Sequence, residues 1–104
     1  MKTLLFTLML VAAQAQAETG PAVAVEKFTF APQEITVTPG TTVTWTNKDE
    51  TPHTVSASDK SYVSKAMDTQ DTFTHTFVSE GDFSYFCTLH PFMTGTVHVR
   101  AAKQ

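Results

Sequence analysis

Thr41-Thr42-Val43-Thr44-Trp45-Thr46-Asn47, following the turn pair Pro39-Gly40, sets Val43 and Trp45 against Thr42, Thr44 and Thr46 with a period of two. Apolar side chains on one face and β-branched polar ones on the other describe a strand with one buried side. The same rhythm runs outward in both directions: Val23 and Val25, Phe28 and Phe30, Ile35 and Val37, then Phe83 and Tyr85, and Val97 and Val99. Ala31-Pro32, Pro39-Gly40, Asn47-Lys48-Asp49 and Glu80-Gly81-Asp82 punctuate the runs as turns. Short strands separated in this way predict an all-β fold, a β-sandwich. Ser58 to Asp71, with Tyr62, Val63 and Met67, carries no convincing helical stripe and reads either as a turn of helix or as an irregular loop.

The chain opens differently. Lys2 is followed by the apolar run Leu4 to Ala13 and by Ala15-Gln16-Ala17, the pattern of a secretory signal peptide over residues 1–17. An apolar core of about ten residues is well short of the roughly 18 to 20 that span a bilayer, so no stable membrane insertion is expected after cleavage. The remainder, 18–104, is long enough for one domain with a single modest core. Without the leader, six Lys and Arg face ten Asp and Glu, a formal charge of −4, which argues against a nucleic-acid partner and favours one with a positive face. A single small domain predicts a monomer.

Export gives the lone cysteine its interest. Cys87 has no partner for an internal disulfide, and an exposed thiol in an oxidising compartment is oxidised or paired with another chain. Burial as an inert hydrophobe would protect it, as is common for free cysteine. Metal ligation would protect it too, and it also accounts for the neighbours. Cys87-Thr88-Leu89-His90-Pro91-Phe92-Met93 gathers a thiolate, an imidazole and a thioether into seven residues, and His53, after Pro52, offers a second imidazole. Two histidines, one cysteine and one methionine are the donors that suit a copper ion cycling between Cu(I) and Cu(II). The run Phe83 to Phe86 delivers Cys87 to one end of the sandwich, Pro91 forces a loop, and Gly95 to Arg100 resumes a strand. These residues predict a protein that carries single electrons, with Met93 as a weak axial ligand and with Phe86, Leu89 and Phe92 keeping water from the metal.

The motif Phe28-x-Phe30-x-Pro32-x-x-Ile35-x-Val37-x-x-Gly40-x-x-Val43-x-Trp45-x-Asn47-x-Asp49, then Pro52-His53, then Gly81-x-Phe83-x-Tyr85-x-Cys87-x-x-His90-x-x-Met93, resembles the cupredoxins, the small blue copper proteins. Two residues between histidine and methionine are similar to the short ligand loop of the amicyanins. The resemblance covers nearly all of 18–104 and implies a Greek-key sandwich of the cupredoxin type. It also implies copper held by His53, Cys87, His90 and Met93, a periplasmic location, and redox partners such as a periplasmic dehydrogenase and a c-type cytochrome. Thr54 stands where amicyanins usually carry the asparagine that ties the two ligand loops together, a departure from that pattern in which a hydroxyl could bond across to Thr88 in its place. The stretch between Glu18 and Val23 is shorter than the usual amicyanin extension.

Other readings bound the function. Copper storage or delivery uses similar soft donors and predicts a labile metal. A multicopper oxidase or nitrite reductase places a histidine beside the cysteine to reach a second copper, whereas here the neighbours are Phe86 and Thr88, so no enzymatic activity is expected. The edge of His90, ringed by Pro52, Leu89, Pro91 and Phe92, is the expected contact point for partners, with Asp49 and Glu50 positioned to steer a basic one. His98, between Val97 and Val99, belongs to an outer face and is expected to have no role. His75, in phase with Phe73 and Phe77, is either a satisfied inward histidine or sits where the strand twists outward.

Overall fold

Val43 and Trp45 both point inward as their alternation requires, each fully buried, with Thr42, Thr44 and Thr46 on the opposite face. The computed structural model describes residues 20–102; the expected leader, residues 1–17, lies outside them. Its strands are β1 (Ala22–Glu26), β2 (Thr29–Ala31), β3 (Glu34–Val37), β4 (Thr41–Asn47), β5 (Ser56–Ala57), β6 (Thr72–Phe77), β7 (Gly81–Phe86) and β8 (Thr94–Val99). They form two four-stranded sheets, ordered β2-β1-β4-β6 and β3-β8-β7-β5. Among the described residues there is no helix, and none is therefore long and apolar enough to cross a membrane.

The chain passes repeatedly from one sheet to the other, so each sheet acquires its partner faces only when both have formed. β1 pairs parallel with β4, and β3 parallel with β8, while the remaining pairs are antiparallel. Between the sheets Trp45 is the hub: its indole meets the Tyr85 ring edge-on at 5.3 Å and lies against Tyr62, Phe73 and Phe77. Phe30 also meets the Tyr85 ring, at 4.7 Å. Opposite Tyr85 in the register stands Gly95, where a β-carbon would come within 2.4 Å of the tyrosine ring. Only a residue without a side chain lets Tyr85 lie flat there, two residues ahead of Cys87.

Three sequence readings are resolved by the structure, the first and third against expectation and the second in favour of one of its two alternatives. Phe28 does not continue an inward strand alternation with Phe30; with Lys27 it forms the two-residue turn of the β1–β2 hairpin, both at positive φ (56° and 58°). The segment from Ser58 to Asp71 is an irregular strap, bridged to the His53 strand end by His53 N–H to Met67 O and Met67 N–H to His53 O, at 3.2 and 2.8 Å. Met67 and Tyr62 anchor it in the core. Third, His98 does face outward, but it has a part: its Nδ1 meets Asp82 at 2.7 Å and its Nε2 meets Glu34 at 2.8 Å, clasping β3, β8 and β7. His75 faces inward and stacks on Tyr62 at 4.1 Å, and desolvation depresses its pKa although Asp59 opposes this.

The His98 clasp has a pH signature. Hydrogen bonds to Asp82 and then Glu34 raise the pKa of His98 above 6.5, while His98 and Arg100 lower that of Asp82. A raised folded-state pKa contributes stability that is complete below the unfolded value and disappears as pH climbs through the folded one. His98→Gln is therefore expected to lower the melting temperature at about pH 5.5 and to match the native protein by about pH 9. Thermal unfolding at both pH values checks this; an equal deficit at the two would show that the charge on His98 is irrelevant.

Candidate metal centre

Strand β7 ends at Phe86 and presents Cys87 at the pole of the sandwich. Beyond it the backbone makes two successive turns, His90 N–H to Cys87 O at 3.2 Å and Met93 N–H to His90 O at 2.9 Å, before Cys87 N–H closes the loop on Met93 O at 3.1 Å. The three-residue spacing of the donors thus equals the spacing of the turns, and Cys87, His90 and Met93 stand at the ends of the two turns of one closed loop. On the facing strand end, the bridge to Met67 holds His53.

Cys87 Sγ lies 3.7 Å from Nδ1 of His53 and 3.7 Å from Nδ1 of His90. The three candidate ligand atoms all fall within 4.8 Å of one another, the only such group of histidine, cysteine or carboxylate side chains among the described residues. Cys87 and His53 have no exposure to solvent, Met93 has 2 %, and His90 is half-buried. Of the four residues singled out in the sequence, three are thus joined by their donor atoms, and the fourth is buried and tied to the cysteine through the loop backbone. Thr54 N–H also donates to the sulfur at 3.4 Å, stabilising negative charge there.

The sequence reading placed Asp49 at the surface as a steering charge, and the structure corrects this. Its carboxylate turns inward, accepting from Lys27 N–H at 2.7 Å and Phe28 N–H at 3.1 Å, and meets Nε2 of His53 at 2.8 Å. Burial pushes the Asp49 pKa up, but these hydrogen bonds outweigh it and leave the carboxyl below its ordinary value. The ionised carboxylate makes Nε2 of His53 the N–H donor and leaves the Nδ1 lone pair free for a metal. Asp49 is itself set by Asn47, whose Oδ1 accepts from Asp49 N–H at 2.9 Å. No spacing rule in the sequence distinguishes such a carboxylate from a solvated one, since the contact depends on the hairpin turn arriving from β1 and β2.

Thr54 does span the two ligand loops. Its Oγ1 accepts from Thr88 N–H at 2.7 Å and shares a hydrogen bond with the Thr88 hydroxyl at 2.9 Å. Leu89 and Phe92, expected to exclude water, are instead 50 % and 71 % exposed, and the ring lying over both histidines is Phe28, at 5.1 Å from His53 and 4.9 Å from His90.

A family model described as Cupredoxin-like domain matches residues 1–99. The chain belongs to the cupredoxin-like family. This cupredoxin is 34 % identical over 82 residues to amicyanin from Paracoccus versutus, a match covering 74 % of this chain and 62 % of that protein. It is 34 % identical over 82 residues to amicyanin-alpha from Methylorubrum extorquens, covering 74 % of this chain and 69 % of the relative. Among solved structures, the Cu(I) form of an amicyanin mutant superposes with a TM-score of 0.76 at 32 % identity, covering 82 % of this chain and 86 % of that one. A purple cupredoxin from Nitrosopumilus maritimus gives 0.73 at 30 % identity, over 77 % of this chain and 99 % of that one. Copper is the cofactor of this family, and the soft donors of the His53, Cys87 and His90 cluster fit it.

With the family known, the departure at Thr54 becomes a test of the loop tie. Thr54→Ala removes the acceptor for Thr88 N–H and is expected to destabilise the metal-free protein by about 1–2 kcal/mol, while Thr54→Ser, which keeps the hydroxyl, stays near the native value. Urea unfolding of the three proteins measures this. Indistinguishable midpoints for the alanine and serine variants would mean that the hydroxyl ties nothing.

Proposed function

We propose that the chain is a type 1 blue copper protein that carries single electrons between redox proteins, with copper held by His53, Cys87, His90 and Met93. The observation that carries this reading is the convergence of one sulfur and two Nδ1 atoms within 4.8 Å at a buried pole, with His90 reaching partial exposure. Copper bound there supplies a one-electron Cu(I)/Cu(II) couple.

The protein's own residues do the rest. Asp49 orients the His53 ring, Thr54 holds Cys87 and Thr88 in register with it, and the sandwich keeps the donors from relaxing toward the geometry either oxidation state alone would choose. Small rearrangement on electron gain or loss lowers the barrier to transfer. Around His90, Pro52, Leu89, Pro91 and Phe92 are exposed and form an apolar rim suited to the small, transient contacts of electron-transfer partners. A periplasmic dehydrogenase as donor and a c-type cytochrome as acceptor fit this surface, as they fit the resemblance to the amicyanins. Residues 1–17 read as the export signal that would bring the domain to the periplasm, where it acts as a monomer. With Phe86 and Thr88 flanking Cys87, there is no adjacent imidazole for a second copper, and the reading is of a carrier and not an enzyme.

Adding Cu(II) to the purified metal-free protein tests the assignment. The expected result is an intense thiolate-to-copper absorption band in the visible and a reversible one-electron wave in voltammetry. A colourless, redox-silent product would end the reading; a coloured protein that surrenders Cu(I) to weak chelators within seconds would replace it with copper delivery.

A further inference from the structure

The two imidazoles of the centre are held by different means. Asp49 fixes the ring plane of His53 through Nε2. Among the described residues, nothing accepts a hydrogen bond from Nε2 of His90, whose hydrogen-bonding contact is Nδ1 at the Cys87 sulfur. What surrounds the His90 ring is aromatic: Phe28 edge-on at 4.9 Å and 82°, His53 at 5.0 Å and 63°, and Phe92 at 6.2 Å and 60°.

Phe28 is the unexpected member. It occupies the second position of a two-residue hairpin turn at φ 58°, a conformation that asparagine and glycine adopt readily and a bulky side chain does not. The turn is held by the Asp49 carboxylate, which accepts from Lys27 N–H and Phe28 N–H. The ring is 38 % exposed, so core burial does not account for a phenylalanine at this position. Its plane stands perpendicular to His53, at 89°, and nearly so to His90, touching both rings at once.

We propose that Phe28 is a positioning residue for His90, its ring bracing the imidazole so that Nδ1 stays directed at the site, in the place of the hydrogen bond that His53 has and His90 lacks. The proposal rests on the copper reading given above. One carboxylate then organises both histidines, His53 directly and His90 through the turn that carries Phe28.

Phe28→Gly separates bracing from folding, because glycine suits the positive φ and deletes the ring. The native protein, Phe28→Gly and Phe28→Tyr are loaded with copper, reduced, and mixed with the Cu(I) chelator bathocuproine disulfonate, and the rate of copper transfer is followed. Phe28→Gly is expected to release Cu(I) about tenfold faster, with a metal-free melting temperature no lower than native, and Phe28→Tyr to release it at the native rate. Release from Phe28→Gly within twofold of native overturns the proposal, as does an equally fast release from Phe28→Tyr. A native protein that shows no thiolate-to-copper band on loading defeats the copper reading and this proposal together. A coloured native protein with an unchanged glycine variant defeats the bracing alone.

Discussion

Cys87→Ser is expected to abolish the visible absorption band on addition of Cu(II), leaving a colourless protein with no reversible wave. The band belongs to charge transfer from thiolate to copper, and Cys87 is the only cysteine in the chain. Loss of an outer-shell partner costs roughly 10–100-fold in metal affinity, and loss of the thiolate proposed as a ligand is expected to exceed that. The fold should tolerate the change, because a serine hydroxyl offers Thr54 N–H an acceptor in place of the sulfur that now lies 3.4 Å away. Copper titration followed by absorption, with circular dichroism of the metal-free variant alongside, separates the two effects. A serine variant that still turns blue would place the colour, and the electron, somewhere other than Cys87.

Asn47→Ala is expected to be the most damaging of these changes to stability, by about 2–4 kcal/mol, which lowers the melting temperature of a domain this size by about 10–25 °C. Asn47 is fully buried at the end of β4. Its Nδ2 donates to Thr51 O at 3.0 Å and to Met67 O at 2.8 Å, and its Oδ1 accepts from Asp49 N–H. Removing the side chain leaves Thr51 O and Asp49 N–H without this partner and takes from Met67 O one of its two donors, the other being His53 N–H. The same bonds shape the turn that presents Asp49 and His53 and seat the strap through Met67, so the variant should also bind copper more weakly once folded. Thermal unfolding of the metal-free protein measures the first effect. A melting temperature within about 3 °C of native would mean that the turn is held by its backbone alone.

How much of the centre was legible in the chain depends on how its parts are spaced. Cys87, His90 and Met93 lie three residues apart on one loop, so their grouping follows from local turns and shows in the sequence. His53 could be added because its donor chemistry completes a set that makes sense only together. Asp49 and Phe28 gave no such signal. Asp49 reads as one more charged turn residue, and Phe28 reads as the first of two inward phenylalanines; each acquires its role only where the β1–β2 hairpin meets the turn after β4. The strap from Ser58 to Asp71 was unreadable for a similar reason. Its order comes from backbone bonds to His53 and from Met67 and Tyr62 in the core, none of which is a local preference.

The period-two alternation by itself determined an all-β fold and, within the strands though not at the Lys27-Phe28 turn, which faces are buried, Trp45 and Tyr85 among them, because side-chain direction in a strand is set by covalent geometry alone. Donor types and their order determined the kind of metal. Tertiary structure alone decided that Asp49 orients one histidine, that Phe28 lies against both, and that His98 clasps three strands. Each of those contacts joins residues brought together by the packing of distant segments, and the alternation that directs a side chain toward one face carries no information about what a different strand will place there.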